Sequence, residues 1–399
     1  MGDRQFLTGA KIFTGDRTVT GQALVVENGV IQGLVPSGSV PSGSDVVRLP
    51  ADSLLAPGFI DAQVNGAGGV LFNETPTVDA ALAIAAALRP SGTTGLLPTF
   101  ITDDRSKMAQ ACDAAVAAAD QQASGVLGLH LEGPFLSRER PGVHDPRYIR
   151  APDEADLSLL EALPARFGPH ARFLLTLAPE QVSDTAISRL SASGVVVSLG
   201  HTAASYDRTT EALHAGARGF THLFNAMPPV ANREPGPVGA ALDSSAAWCG
   251  IIADGIHVHP SLLRAAIASK RTGQVFLVTD AMSPVGTTAE SFVLYGRTIL
   301  RRDGRLTTED GVLAGADIDM ISSVRNCIRL LGLPGEEALR MASLYPATFL
   351  RLDHELGRIA PGYKANLVLL AGAEPDWQVA ATWIRGQVSW HESDIQARL

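Results

Sequence analysis

At 399 residues, with 46% hydrophobic and 18% charged side chains, the chain has a globular balance and exceeds one ordinary domain. A formal charge of −9 argues against the basic stripe that nucleic-acid binding needs, and Cys112, Cys249 and Cys327 lack any C-x-x-C spacing, so neither a disulfide framework nor a thiolate zinc site is indicated. The opening MGDRQFLTG lacks the basic and apolar regions of a secretory signal, and no apolar run approaches the ~20 residues of a membrane helix; a cytoplasmic protein with no membrane partner is expected.

Residues 1 to 55 carry ALVVENGVIQGLV and the Pro/Gly/Ser-rich VPSGSVPSGSD, which read as short antiparallel strands and turns. From there short apolar runs alternate with segments of helical period. Strands are predicted near Phe59 to Val64, Gly95 to Phe100, Val126 to Glu132, Phe173 to Ala178, Val195 to His201, Gly219 to Phe224, Cys249 to Ala253 and Val275 to Asp280. The intervening VDAALAIAAALRP, SKMAQACDAAVAAADQQA, DEADLSLLEALPARF, DTAISRLSASG, YDRTTEALHAGA and SLLRAAIASKR have the apolar spacing of helices packed on a sheet. Strand-helix alternation repeated eight times predicts an α/β protein with a (β/α)8 TIM-like barrel over residues 56–355. An open doubly wound sheet is the alternative, but no G-x-G-x-x-G follows the first strand. Residues 356–399, with GRIAPGYKANLVLLAGAE and TWIRGQVSW, again read as short strands. Neither end is large enough to bury a core alone, so 1–55 and 356–399 are expected to pair as one small β-sandwich domain formed from both termini.

In such a barrel chemistry sits at the carboxyl ends of the strands. The first strand ends in Asp61, Gln63 and Asn65, the third in His130 and Glu132, the fifth in His201, the sixth in His222 and Asn225, and the eighth in Asp280, while the seventh leads to Asp254, His257 and His259. Singly, a histidine such as His222 is more often a hydrogen-bonded core residue than a ligand, and His130, His170, His214, His354 and His391 are read that way or as solvated. Two rim histidines on consecutive strands, with a rim glutamate, form instead a borderline-soft N/O set suited to zinc or another divalent first-row metal. Asp280 alone reads as a helix cap or turn carboxylate; beside a metal-activated water it is the natural general base.

The motifs PGFIDAQVNGAGG, HLEGPF, GHT, THLFNAM, REPG, DGIHV, TDA and LAGAD, in this order, resemble the amidohydrolase superfamily and, within it, the N-acetylglucosamine-6-phosphate deacetylases; SLYPATFLRLDHELGRIAPGYKANLVLL is similar to the segment in which such chains leave the barrel. The resemblance implies one divalent metal ion, zinc before iron, manganese or cobalt, on Glu132, His201 and His222. It implies Asp280 as catalytic base and acid, and His144 near the acetyl carbonyl. It further implies a phosphorylated N-acetyl amino sugar bound by Asn225, the backbone at Ala226, Arg233 and His257, with Ala314 and Gly315 of LAGAD beside it, and a homodimer in which Arg233 reaches the neighbouring site. Where many amidohydrolases have His-x-His, the first strand offers Gln63 and Asn65, whose neutral amides are poor ligands; this favours a single metal. Asn366 in KANLVLL departs from the aspartate of many relatives, in the β domain. The rival readings are an amidohydrolase for a related substrate such as N-acetylgalactosamine 6-phosphate, and a catalytically silent barrel subunit.

Overall fold

The computed structural model describes residues 4–121 and 123–393. Eight parallel strands form one sheet in sequential order: β1 (Phe59–Val64), β2 (Thr93–Ile101), β3 (Gly128–Glu132), β4 (Arg172–Leu177), β5 (Val196–Leu199), β6 (Gly219–Phe220), β7 (Trp248–Ile251) and β8 (Val275–Leu277). Every residue of β2 and β3 is buried, the mark of parallel strands covered on both faces. The sheet closes just beyond β8, where Val64 bridges Ala281 and the Asp280 N–H donates to the Gln63 carbonyl at 3.0 Å. Asp61 on β1 spans this seam, accepting the Thr279 N–H and hydroxyl.

The helices between strands start where short polar side chains cap them. Thr77, Asp104, Ser183 and Ser205 each accept a first-turn N–H, and Asp153 forms a reciprocal capping box with Asp156. His259, without a role from sequence, caps the helix Pro260–Ser269 by accepting the Ser261 N–H.

Strands from both ends of the chain build two further sheets. One has four strands, 22–27, 30–36, 4–8 and 45–48; the other joins Leu54–Pro57 to Lys11–Phe13 on one side and to Leu367–Ala371 on the other. Their shared core includes Leu7, Leu24, Ile31, Leu55, Leu367 and Trp383. Asn366 lies here, its side chain accepting the Arg385 N–H.

Several strand ends and one whole sheet differ from the sequence expectation: the fifth, seventh and eighth strands stop at Leu199, Ile251 and Leu277. The sixth strand ends at Phe220 rather than Phe224, because His222, Phe224 and Ala226 all take positive φ and turn the chain out of the sheet. Beyond the eighth strand, an unanticipated four-stranded antiparallel sheet (Ser291–Leu294, Arg297–Arg302, Arg305–Thr307 and Leu313–Ala316) leans on the barrel mouth. Its last strand bridges Ala281 through Ala316, and Leu294, Ile299, Leu306 and Ala314 share an apolar cluster with Leu71, Ile101 and Met282.

Candidate active site

The polar residues at the strand ends converge on one point. Glu132 Oε1 lies 2.9 Å from His222 Nε2 and 3.3 Å from His201 Nε2, and the two Nε2 atoms are 3.1 Å apart. All three side chains are buried. His201 Nδ1 is 3.0 Å from the Arg140 carbonyl, which only accepts, so Nδ1 carries a proton and Nε2 is the ring atom that a cation could take. Ligand atoms 2.0–2.1 Å from a tetrahedral ion lie about 3.4 Å apart. A carboxylate oxygen and two imidazole nitrogens at these separations fit a divalent cation.

Burial alone raises the Glu132 carboxyl, but hydrogen bonds from His201 and His222 outweigh it and hold Glu132 well below the usual range. Burial lowers His222, yet its bond to Glu132 wins and the imidazole is raised.

Three residues of this cluster sit at unusual backbone positions. His201, His222 and Asp280 have φ of 47°, 32° and 54°, just past the ends of β5, β6 and β8. Left-handed backbone costs side-chain-bearing residues roughly 1–3 kcal/mol each and gathers where function fixes a side chain. Here it turns each side chain from the strand line into the mouth of the barrel.

Asp280 is held by the first strand. Its Oδ1 accepts from Asn65 Nδ2 at 2.7 Å and from Gln63 Nε2 at 3.1 Å, and the same Gln63 nitrogen lies 3.2 Å from Glu132 Oε1. The amides that make poor ligands are thus donors: both donate to Asp280, and Gln63 also bridges it to Glu132. Burial, then the charge of Glu132, pushes Asp280 up to about 6.

His144 comes from the loop after β3, its ring centroid 4.4 Å from that of His201. Its Nε2 is 4.0 Å from Glu132 Oε2, and burial followed by the neighbouring His201 keeps it well below the ordinary imidazole range. His130, by contrast, lies deeper in the barrel, bonded to Thr99 and Thr176 and lowered by burial to about 4.

Above these groups opens a cavity of about 430 Å³ whose wall includes Asn65, Asn225, Ala226, His257, Asp280 and Gly315. His257 Nδ1 is 2.6 Å from Asp254 Oδ2, and Asp254 Oδ1 also accepts the Ile256 and His257 N–H groups. Burial raises the Asp254 carboxyl, but the His257 bond prevails and lowers it. Two expected site residues stand apart: Arg233 is exposed and outside the cavity wall, and the Ala314 side chain is buried in the cluster beneath the inserted sheet. Sequence reasoning missed Arg140, Met282, Val312 and Leu313, which also line the cavity. The nearness of Arg140 to His144 in SRERPGVHD and the place of Leu313 in LAGAD offered signals.

Residues 54–389 match the Amidohydrolase family. Over 384 residues the chain is 42% identical to an N-acetylgalactosamine-6-phosphate deacetylase of Shewanella sp. (strain ANA-3), covering 95% of this chain and 94% of that protein. It is 35% identical to an N-acetylglucosamine-6-phosphate deacetylase of Haemophilus influenzae, over 93% of this chain and 95% of that one. The crystal structure of N-acetylglucosamine-6-phosphate deacetylase from Pasteurella multocida matches with a TM-score of 0.91 and 38% identity, covering 96% of this chain and 99% of that chain.

Proposed function

The chain belongs to the amidohydrolase family, and from that premise we propose that it hydrolyses the N-acetyl group of N-acetylglucosamine 6-phosphate to acetate and glucosamine 6-phosphate. The observation that carries the reading is the buried triangle of Glu132, His201 and His222, with Asp280 beside it, on the wall of a cavity that also holds His144 and His257.

Glu132 Oε1, His201 Nε2 and His222 Nε2 would hold one divalent ion, zinc first among the metals that suit this set. When bound, such an ion supplies Lewis acidity and makes a water easier to deprotonate. Asp280, oriented by Asn65 and Gln63, takes the proton of the attacking water. The same carboxyl then passes the proton to the amine nitrogen, which leaves as glucosamine 6-phosphate. His144 donates from Nε2 to the acetyl carbonyl oxygen as negative charge develops there. Asn225, the Ala226 N–H and His257 receive the phosphate, Asp254 holding His257 so that Nε2 faces the cavity. Gly315 lies against the sugar, and the exposed Arg233 reaches the phosphate of a neighbouring subunit in a homodimer.

The 42% identity to the Shewanella enzyme favours N-acetylgalactosamine 6-phosphate as a second reading. Acetate release from both phosphorylated epimers and from unphosphorylated N-acetylglucosamine tests the proposal. Turnover confined to phosphorylated sugars supports it, and the ratio of kcat/KM values names the epimer. No release from either by zinc-loaded protein would overturn it.

A further inference from the structure

Thr102 lies one residue beyond β2, and its polar groups reach two parts of the site. Its N–H donates to His144 Nδ1 at 3.3 Å, and its Oγ1 lies 2.8 Å from the same nitrogen and 3.2 Å from the Glu132 carbonyl oxygen. Its own carbonyl accepts the hydroxyl of Tyr295, which stands at the tip of the first hairpin of the inserted sheet. Val143, next to His144, packs against the apolar cluster of that sheet. Both Thr102 and His144 are buried. The approach is close enough that a Cβ on Gly133 would meet Thr102 Oγ1 at 2.2 Å, and Gly133 also takes a φ of +88°.

The main-chain N–H has a fixed direction and can only donate. A ring nitrogen that accepts it holds a lone pair, so the proton of a neutral His144 ring is on Nε2, the atom on the cavity side.

We infer that Thr102 is a positioning residue for the reaction: its N–H selects the Nε2–H tautomer of His144, and its hydroxyl, whose single proton then goes to Nδ1 rather than to the Glu132 carbonyl, aims the ring at the acyl oxygen of the substrate. The inference rests on the reading of His144 as the carbonyl donor. The inserted sheet acquires a purpose with it, since Tyr295 fixes the carbonyl of Thr102 and Val143 anchors the His144 loop.

The test is a cycle of Thr102→Val, His144→Asn and the double variant in zinc-loaded protein, with Thr102→Ser as the conservative control. Thr102→Val lowers kcat about tenfold, the size of one lost hydrogen bond to a reacting group, and leaves KM and bound zinc unchanged. Thr102→Ser restores kcat, the double variant is no slower than His144→Asn, and long-range 1H–15N correlations of the wild-type protein report His144 protonated on Nε2. An undiminished Thr102→Val loss in the His144→Asn background, zinc loss matching the activity loss, or an Nδ1-protonated His144 would overturn the role of Thr102. Native turnover in His144→Asn would overturn the assignment of His144 itself, a separate failure.

Discussion

Asp280 shows how much one side chain depends on its neighbours. Its Oδ1 is occupied by the Asn65 and Gln63 amides, so one oxygen is spent on orientation. As a base it must be ionised, so kcat/KM falls as pH drops through its pKa in the folded protein. Burial and Glu132 set that pKa at about 6, and a bound cation, by favouring the carboxylate, moves it down. The acid limb of kcat/KM is therefore expected at or below pH 6, and Asp280→Asn loses roughly 10²–10⁴-fold in kcat with bound zinc unchanged. A limb centred well above that pH, or near-native turnover in the variant, would remove Asp280 from the role. Glu132, His201, His222 and Asp280 were legible in the sequence because each follows an apolar run that only a strand explains. Gln63 as a bridge between two carboxylates was not. That role depends on where β3 and the end of β8 stand relative to β1, which no local pattern encodes.

At the scale of elements, the short strands end where left-handed residues begin. The runs VVVSLGHT and GFTHLF look like strands through their histidines, yet β5 stops at Leu199 and β6 at Phe220, and His201 and His222 take positive φ. Apolar composition signals burial, not φ, so strand existence was legible and the exact end was not. The inserted sheet escaped for a related reason: its strands are short, partly exposed and rich in arginine, as in RTILRR, so they lack the apolar run that marked the barrel strands. The backbone reading has a thermodynamic consequence. His222→Gly and His222→Ala both remove a ligand and should both lose bound zinc. In metal-free protein, however, glycine accepts the left-handed position without a Cβ penalty, so His222→Gly should unfold at higher urea than His222→Ala, by roughly 1 kcal/mol. Equal midpoints, or alanine the more stable, would mean that residue 222 is not strained; full zinc occupancy in either variant would remove His222 from the ligand set.

At the scale of the whole molecule, the barrel is one cooperative unit only if its ends meet, and they meet at a buried carboxylate. Asp61 on β1 accepts the Gln63 and Thr279 N–H groups and the Thr279 hydroxyl. Burial outweighs these donors and pushes it from 3.8 up to about 7. A carboxyl whose folded pKa is raised binds protons more readily in the native state than in the unfolded chain, so its contribution to stability is full below about pH 3.8 and is lost progressively as pH rises to about 7. The seam should therefore weaken toward neutrality, opposite to the usual paired aspartate. Asp61→Asn keeps an oxygen for the two N–H groups and lets its amide donate to the Thr279 hydroxyl, while losing the charge. Urea unfolding of zinc-free protein at pH 5 and pH 7.5 should then show wild-type stability declining, relative to Asp61→Asn, between the two conditions. A constant difference would mean that Asp61 is ionised throughout, its three donors having outweighed burial, and that the closing strands are held by a charge-assisted clasp instead.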